Sequence, residues 1–105
     1  MFKLIILLIK KQTLSDDEFA RYLLEVHAPL ARKMPGVLRY VANIVQRPPG
    51  REPDYHAAAE LWFDSREAMR KAFSSNHGEA TQKDTEKFTS KTQTLFVDEH
   101  EIVSV

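Results

Sequence analysis

The sequence predicts an α+β domain in which strands and helices follow the order β-α-β-β-α-β. Three observations carry this prediction. The chain begins with an almost wholly apolar stretch, residues 2–9. Two later stretches carry helix-starting signals followed by apolar residues at helical spacing. In three other stretches, apolar and polar residues alternate or β-branched residues are frequent, as in strands. We therefore expect a four-stranded antiparallel sheet with two helices.

Composition excludes several classes of function. A chain of 105 residues with 43% apolar and 29% charged residues is typical of one globular domain. Fifteen basic and fifteen acidic residues cancel, and no basic block is interleaved with aromatics, so we expect no nucleic-acid partner. The absence of cysteine excludes disulfides, thiol nucleophiles and thiolate metal sites. It also fits a cytoplasmic protein, which we expect.

The N-terminal apolar stretch, residues 2–9, is interpreted as a strand. It is far shorter than the ~20 residues of a membrane span, and no small-residue cleavage site follows it. We therefore expect no membrane association. Because both of its alternating faces are apolar, the strand is predicted to lie centrally and to be covered on both sides.

The first helix has a clear start. Ser15 and Glu18 have the spacing of a capping box, and Leu14 and Phe19 are placed for a hydrophobic staple, so the helix is predicted to begin at Asp16. Its apolar stripe is Phe19, Tyr22, Leu23, Val26 and Leu30.

His27 lies on the same predicted face, two residues before Pro29. Since proline has no N–H, the Glu25 carbonyl loses its helical partner and the helix is expected to kink or loosen there. His27 is therefore either a core histidine bonded to a freed carbonyl or a titratable group that faces a site.

The middle of the chain predicts a hairpin with a long loop. Pro35-Gly36 turns the chain into a strand over residues 37–46, in which Tyr40 and Asn43 fall on opposite faces. The proline-rich residues 47–54 are expected to form a mobile loop. The next strand, residues 55–63, is predicted to place His56, Ala58, Glu60 and Trp62 on one face. Small residues at 57–59 leave space for a cavity; alternatively, that face is solvated.

The C-terminal part supplies a second helix and the last strand. Asp64 is the expected N-cap, and the predicted inner face is Ala68, Met69, Ala72 and Phe73. Residues 74–78 should end this helix, and residues 79–87 should form a short or partly exposed helix anchored by Ala80 and Phe88. A strand over 92–97 and a tail with exposed apolar side chains follow. This order is the ferredoxin-like arrangement, whose uncovered sheet face predicts a homodimer.

The chain resembles the EthD family of small dimeric α/β-barrel proteins. The matching signature is HAPL, then PG, then Y: His27, Ala28, Pro29, Leu30, Pro35, Gly36 and Tyr40, with Asn43 shortly after. The blocks AELWFDS at 59–65 and FVDEH at 96–100 also resemble the family, so the similarity spans nearly the whole chain as one domain, residues 1–105. The proline-rich loop is particular to this sequence.

This resemblance implies a ferredoxin-like dimer. The family is named for a component of bacterial ether degradation that works beside an oxidising system, and its members are often described as oxidoreductase-related. The similar methylmuconolactone methylisomerases perform acid/base chemistry on a lactone, with a histidine and a tyrosine that resemble His27 and Tyr40. The cysteines of that pocket have no counterpart here, which argues against the same isomerase reaction.

We expect His27 to be the acid/base group, since an unperturbed imidazole titrates near neutrality with a pKa of about 6.5. Tyr40 is expected to donate a hydrogen bond to an oxyanion, or else to be a core aromatic residue. His56, Glu60 and Trp62 are candidate substrate-binding residues. Asn43 ranks below them because it lies on the other strand face from Tyr40.

We expect neither a metal nor a nucleotide cofactor. His27, His56 and His77 with Glu60 raise the possibility of iron, but their spacing contains no local ligand pattern. His77 is expected to be a helix C-cap, with haem ligation as the alternative. Three glycines and no phosphate-binding motif argue against nucleotides.

Two functions fit the sequence. The first is a cofactor-free enzyme, or an oxidoreductase-associated catabolic component, that acts on an aromatic, lactone or ether-derived compound. The second is a non-catalytic accessory module that binds a hydrophobic metabolite or a partner enzyme.

Overall fold

A computed structural model describes all residues, 1–105, and confirms the ferredoxin-like α+β fold. Four antiparallel strands lie in the order β2-β3-β1-β4. Their bounds are β1 (Phe2–Lys10), β2 (Arg39–Ile44), β3 (Ala57–Phe63) and β4 (Thr89–Val97). As predicted, the N-terminal strand is central.

Helices cover one face of the sheet. They are α1 (Asp16–Tyr22), a π-helical turn (Leu23–His27), α2 (Ala28–Ala31), α3 (Arg66–Ser74) and α4 (Asn76–Phe88). The inward side chains of the sheet, among them Leu4, Leu8 and Leu61, pack with these helices into two clusters of buried residues. None of the helices has both the length and the apolar character needed to cross a membrane.

The start of α1 is as predicted. The Ser15 hydroxyl accepts from the Glu18 N–H at 3.0 Å, and the Glu18 carboxylate accepts from the Ser15 N–H at 2.9 Å. The prediction for Val26 is wrong, because its side chain is 48% exposed.

The π-helical turn explains that error. Pro29 removes one N–H from the helical ladder, and the Ala28 N–H bonds to the carbonyl of Leu23, five residues earlier. The extra residue rotates the side chains that follow. The buried positions are therefore Leu23, His27 and Ala31. The predicted loosening beside Pro29 is present.

The second helix differs from its prediction at its start. Ser65, not Asp64, caps α3, because its hydroxyl accepts from the Ala68 N–H at 3.0 Å. Helix α3 ends at Ser74, within the predicted residues 74–78, but α4 begins at once, since the Ser75 hydroxyl caps it by accepting from the Gly78 N–H at 3.1 Å. A Cβ on Gly78 would lie 2.2 Å from the Ala72 carbonyl oxygen, so only glycine fits this corner.

Helix α4 is longer and more deeply packed than expected. Its inward face carries Thr81, Asp84 and Phe88, all buried. Ala80 is exposed, so its predicted anchoring role is wrong. The last strand begins at Thr89, three residues before the predicted start.

The other face of the sheet is open. It carries the apolar side chains of Ile5, Leu7, Val41 and Leu95, which the strand register places on neighbouring strands. The tail residues Ile102 and Val103 are exposed as well.

Candidate active site

A cavity of about 520 Å³ lies between the inner face of the sheet and the helices, within the usual range for small-molecule sites. The sheet contributes Ile6, Ala59 and Leu61 to its wall. His27 and Tyr40 both line it, so the structure brings the two predicted catalytic residues to one cavity. Ala59 supplies part of the space expected from the small residues of the third strand.

His27 is held by a buried carboxylate. Its Nδ1 lies 2.9 Å from Asp84 Oδ2, and the two residues are 7% and 6% exposed. The imidazole also packs on the Phe88 ring, with centroids 4.9 Å apart. The π-helical turn and α4 together fix the position and the tilt of this ring.

Tyr22 completes the support of Asp84. Its hydroxyl donates to Asp84 Oδ1 at 2.7 Å. Burial, and then this hydrogen bond to a carboxylate, raise the pKa of Tyr22 to about 12, so the phenol stays protonated at neutral pH. Both oxygens of Asp84 therefore accept a hydrogen bond.

Asp84 determines which nitrogen of His27 is free. A neutral imidazole beside this carboxylate carries its proton on Nδ1 and presents a lone pair at Nε2. Nε2 makes no hydrogen bond within the chain, and no buried side-chain nitrogen or oxygen lacks a partner. The Nε2 atom is therefore accessible to a small molecule, and the cavity that His27 lines is where such a molecule would bind.

Tyr40 reaches the cavity from β2. Burial raises the pKa of its phenol, which is therefore protonated and able to donate a hydrogen bond at neutral pH. Its hydroxyl has no partner within the chain and is free for a ligand.

Asn43, Glu60 and Trp62 lie on the opposite, open face of the sheet. The Asn43 amide donates to Glu60 at 2.9 Å, and Glu60 pairs with Lys3 at 2.8 Å. The Trp62 indole donates to Glu99 at 2.9 Å. Hydrogen bonds from Lys3 and then Asn43 hold the pKa of Glu60 below its usual range. These three candidate binding residues thus form a separate polar cluster, away from His27.

His56 does not share a face with Glu60 and Trp62, since its ring lies on the helical side, 6.1 Å from the Phe19 ring of α1, so that prediction is wrong. Regular strand structure begins only at Ala57, and strand alternation does not extend back to His56. Its Nδ1 accepts from the Lys10 N–H at 3.1 Å, and its Nε2 lies 2.8 Å from Glu52.

The structure also locates His77 and the proline-rich loop. His77 lies exposed in the first turn of α4, so it is not a helix C-cap. The proline-rich loop, expected to be mobile, is tied to α1 by Arg47, whose guanidinium bonds both oxygens of Asp16 at 2.8 Å and also pairs with Glu52. No three His, Asp or Glu side chains cluster in a way that could hold a metal ion.

Sequence reasoning missed Asp84 and Tyr22 as site residues. Asp84 lies in a polar stretch among Lys83, Glu86 and Lys87, where nothing marks one charge as buried. A signal was present in the helical spacing of Thr81, Asp84 and Phe88, which describes one face of a helix.

Comparison with known sequences identifies a family. The model of the EthD domain matches residues 11–92. An uncharacterized 11.0 kDa protein encoded in the thcB–thcC intergenic region of Rhodococcus erythropolis is 33% identical over 78 residues, which cover 73% of this chain and 76% of that protein. The resemblance expected from the HAPL signature is confirmed.

Solved structures agree on the fold. An EthD family protein from Bacillus halodurans is 27% identical with a TM-score of 0.81, and the match covers 95% of this chain and all of that one. A dimeric ferredoxin-like protein from Thermobifida fusca has 12% identity and a TM-score of 0.72, covering 91% and 88% of the two chains. SnoaB from Streptomyces nogalater, a cofactor-independent oxygenase, has 12% identity and a TM-score of 0.67, covering 97% and 95%.

Proposed function

The chain belongs to the EthD family, and from this premise we propose that it is a homodimeric, cofactor-free enzyme that transfers a proton on a hydrophobic small molecule. Aromatic, lactone or ether-derived compounds of catabolism are the substrate classes that we favour. The observation that carries the proposal is the buried His27–Asp84 pair, whose free imidazole nitrogen borders the cavity.

In this proposal His27 is the general base. Its Nε2 takes a proton from a ligand O–H or C–H group, and the Asp84 carboxylate stabilises the imidazolium that forms. The low exposure of both side chains strengthens their attraction, because little water screens it. Proton return from the same nitrogen completes an isomerisation or a cyclisation.

Tyr40 is the proposed electrophilic partner. When His27 removes a proton, negative charge develops on a ligand oxygen, and a neutral phenol can donate a hydrogen bond to it. The raised pKa of Tyr40 keeps that proton in place. The cofactor-independent oxygenase from S. nogalater supports the proposal only as a fold-level analogy.

The homodimer is proposed to form through the open face of the sheet. Leu95 and Val41 lie on this face, and the related fold from T. fusca is described as dimeric. We expect Leu95→Glu to shift the mass measured by light scattering from dimer to monomer. Leu24→Glu is the matched control, since Leu24 is an exposed leucine on the helical side. A dimer that persists in Leu95→Glu would count against this interface.

The test of catalysis compares His27→Gln with His77→Gln, an exposed histidine that serves as the control. A thermal-shift screen of phenols, quinones and lactones would first find a ligand, since one at 100 times its dissociation constant adds about 2.7 kcal/mol. Exchange of a ligand C–H for solvent deuterium would then report proton transfer. We expect His27→Gln to lose exchange and His77→Gln to keep it. Retained exchange in His27→Gln would reject His27 as the base.

A non-catalytic accessory module is the second candidate. Leu24 and Val26, 50% and 48% exposed, form an apolar pair on the outside of the helical layer that a partner protein would cover. Ligand binding without any exchange in the wild type would favour this candidate.

A further inference from the structure

The cavity has two sides of different chemistry. Ile6, Ala59 and Leu61 make the sheet side apolar. The side formed by α4 and the adjoining start of β4 is polar, and it is lined by Thr81, Gln82, Lys83, Thr85, Glu86, Thr89, Ser90 and Lys91. Thr92 and Thr94 extend the polar lining onto the sheet, where they pair with Leu8 and Ile6. A ligand that fits must present an apolar face to one side and a polar edge to the other.

The threonines of α4 have already used their hydrogen-bond donors. Thr81, Thr85 and Thr89 each donate to the main-chain carbonyl four residues earlier, at 2.7, 3.0 and 2.7 Å. A hydroxyl has one proton and two lone pairs. These three oxygens therefore retain only acceptor capacity.

Neighbouring groups follow the same rule. The Gln82 amide donates to the Phe73 carbonyl at 2.9 Å, and the single proton of the Ser90 hydroxyl is shared between the Ile9 and Lys10 carbonyls, at 3.4 and 3.3 Å. The side-chain hydroxyls of Thr92 and Thr94 make no hydrogen bond within the chain, so they can serve as donor or acceptor. With His27 Nε2 also an acceptor, the hydroxyls of α4 and His27 form an acceptor side, whereas the donors of the lining are Tyr40, Lys83 and Lys91.

We propose that the ligand is a flat ring compound bearing at least two hydroxyl groups, which donate to the hydroxyl oxygens of α4 and to His27. Its ring face rests on Ile6, Ala59 and Leu61. Ethers and quinones, which only accept, could pair with donors such as Tyr40 but would place lone pairs against the hydroxyl oxygens of α4 and leave these unpaired on burial. This inference rests on the proposed function, since it names the substrate class of the same cavity.

A matched pair of probes tests the inference. A dihydroxynaphthalene and its dimethyl ether share one ring system, but only the diol donates hydrogen bonds. We expect the diol to bind about tenfold more tightly in titration calorimetry, since each net hydrogen bond changes affinity by about 2- to 12-fold. Equal or tighter binding of the dimethyl ether would overturn the inference.

Variants of Thr85 locate the effect. Thr85→Val removes one acceptor at constant shape, and we expect it to weaken diol binding about 3- to 10-fold without changing binding of the ether. Thr85→Ser should restore the preference, and Thr13→Val, a change in an exposed turn, should leave it intact. A valine variant that weakens both probes equally would contradict the inference.

These experiments separate the two proposals. Retained deuterium exchange in His27→Gln would reject the proposed catalysis. The substrate class would still stand if the protein and its Thr85→Ser variant kept their preference for the diol. Conversely, loss of the diol preference would reject the substrate class even where His27 remains essential.

Discussion

Asp84 Oδ2 lies 2.9 Å from His27 Nδ1, although 57 positions separate the two residues in the chain. The contact joins the π-helical turn to α4 on the helical side of the cavity. Tyr22, which lies five residues before His27, donates a hydrogen bond to the second oxygen of the same carboxylate. The histidine is thus oriented by a carboxylate that is itself fixed on two sides.

The first prediction concerns Asp84→Asn. The amide preserves shape but removes the charge that favours the Nδ1-protonated tautomer and stabilises an imidazolium. We expect deuterium exchange to fall about 100-fold or more. Nitrogen NMR of the imidazole should show the Nδ1–H tautomer in the wild type and a mixture in the variant. Asp98→Asn, in the exposed tail, is the control, and an unchanged tautomer would contradict the prediction.

The second prediction concerns Tyr22→Phe. The change removes the donor to a buried carboxylate, so we expect about 1 to 2 kcal/mol less stability in urea unfolding at neutral pH. The folded-state pKa of about 12 lies above the ordinary tyrosine value of 10.0, so folding favours the protonated phenol. Its contribution is complete below pH 10 and is lost as the pH rises towards 12. The stability difference between the two proteins should shrink over that range; a constant difference would contradict this assignment.

Much of the fold was predictable because its signals are local. The capping box at Ser15 and Glu18, the apolar first strand and the inner face of α3 each depend on residues close together in sequence. His27 could be predicted for the same reason, since it lies on a helical stripe and precedes Pro29.

The remainder of the site depends on tertiary structure. Asp84 is distinguished from the charges around it only by where α4 packs. Val26 was misassigned because one residue inserted in the π-helical turn shifts every later side chain, and Pro29 alone does not specify that outcome. His56 was grouped with Glu60 because the predicted strand began two residues too early.

The third prediction concerns Gly78, which sequence reasoning took for the end of a helix. Alanine has the better helix propensity by about 1 kcal/mol, so an open site would gain stability. Here the new Cβ would lie 2.2 Å from the Ala72 carbonyl oxygen and 2.5 Å from that of Phe73, both backbone atoms. We expect Gly78→Ala to lose about 2 kcal/mol or more in urea unfolding, because α3 and α4 must move apart. Glu79→Ala, on the exposed side of the same turn, should change stability by less than about 0.5 kcal/mol. Stabilisation by Gly78→Ala would show that this corner can relax.

The fourth prediction concerns Lys3, which is 7% exposed on the open face of the sheet. Its ammonium lies 2.8 Å from Glu60, 2.9 Å from Glu99 and 4.4 Å from the Trp62 ring centroid. Burial lowers the pKa of Lys3, but hydrogen bonds with both carboxylates outweigh it and the net pKa is raised. The hydrogen bond from Lys3 is also the main cause that lowers the pKa of Glu60 and of Glu99.

The sign of the Lys3→Met effect should therefore depend on pH. The two carboxyls have folded-state pKa values below their ordinary 4.5, so their stabilisation is present above pH 4.5 and is lost as the pH falls through the lowered values. At pH 7 we expect Lys3→Met to be less stable by about 1 to 2 kcal/mol. Near pH 2, with both carboxyls protonated, the wild type holds an ammonium group without a counter-ion, whereas methionine has no desolvation cost. We expect the variant to be the more stable protein there. Urea unfolding at both pH values, with the exposed Lys91→Met as control, would reject this account if Lys3→Met had the same sign of effect throughout.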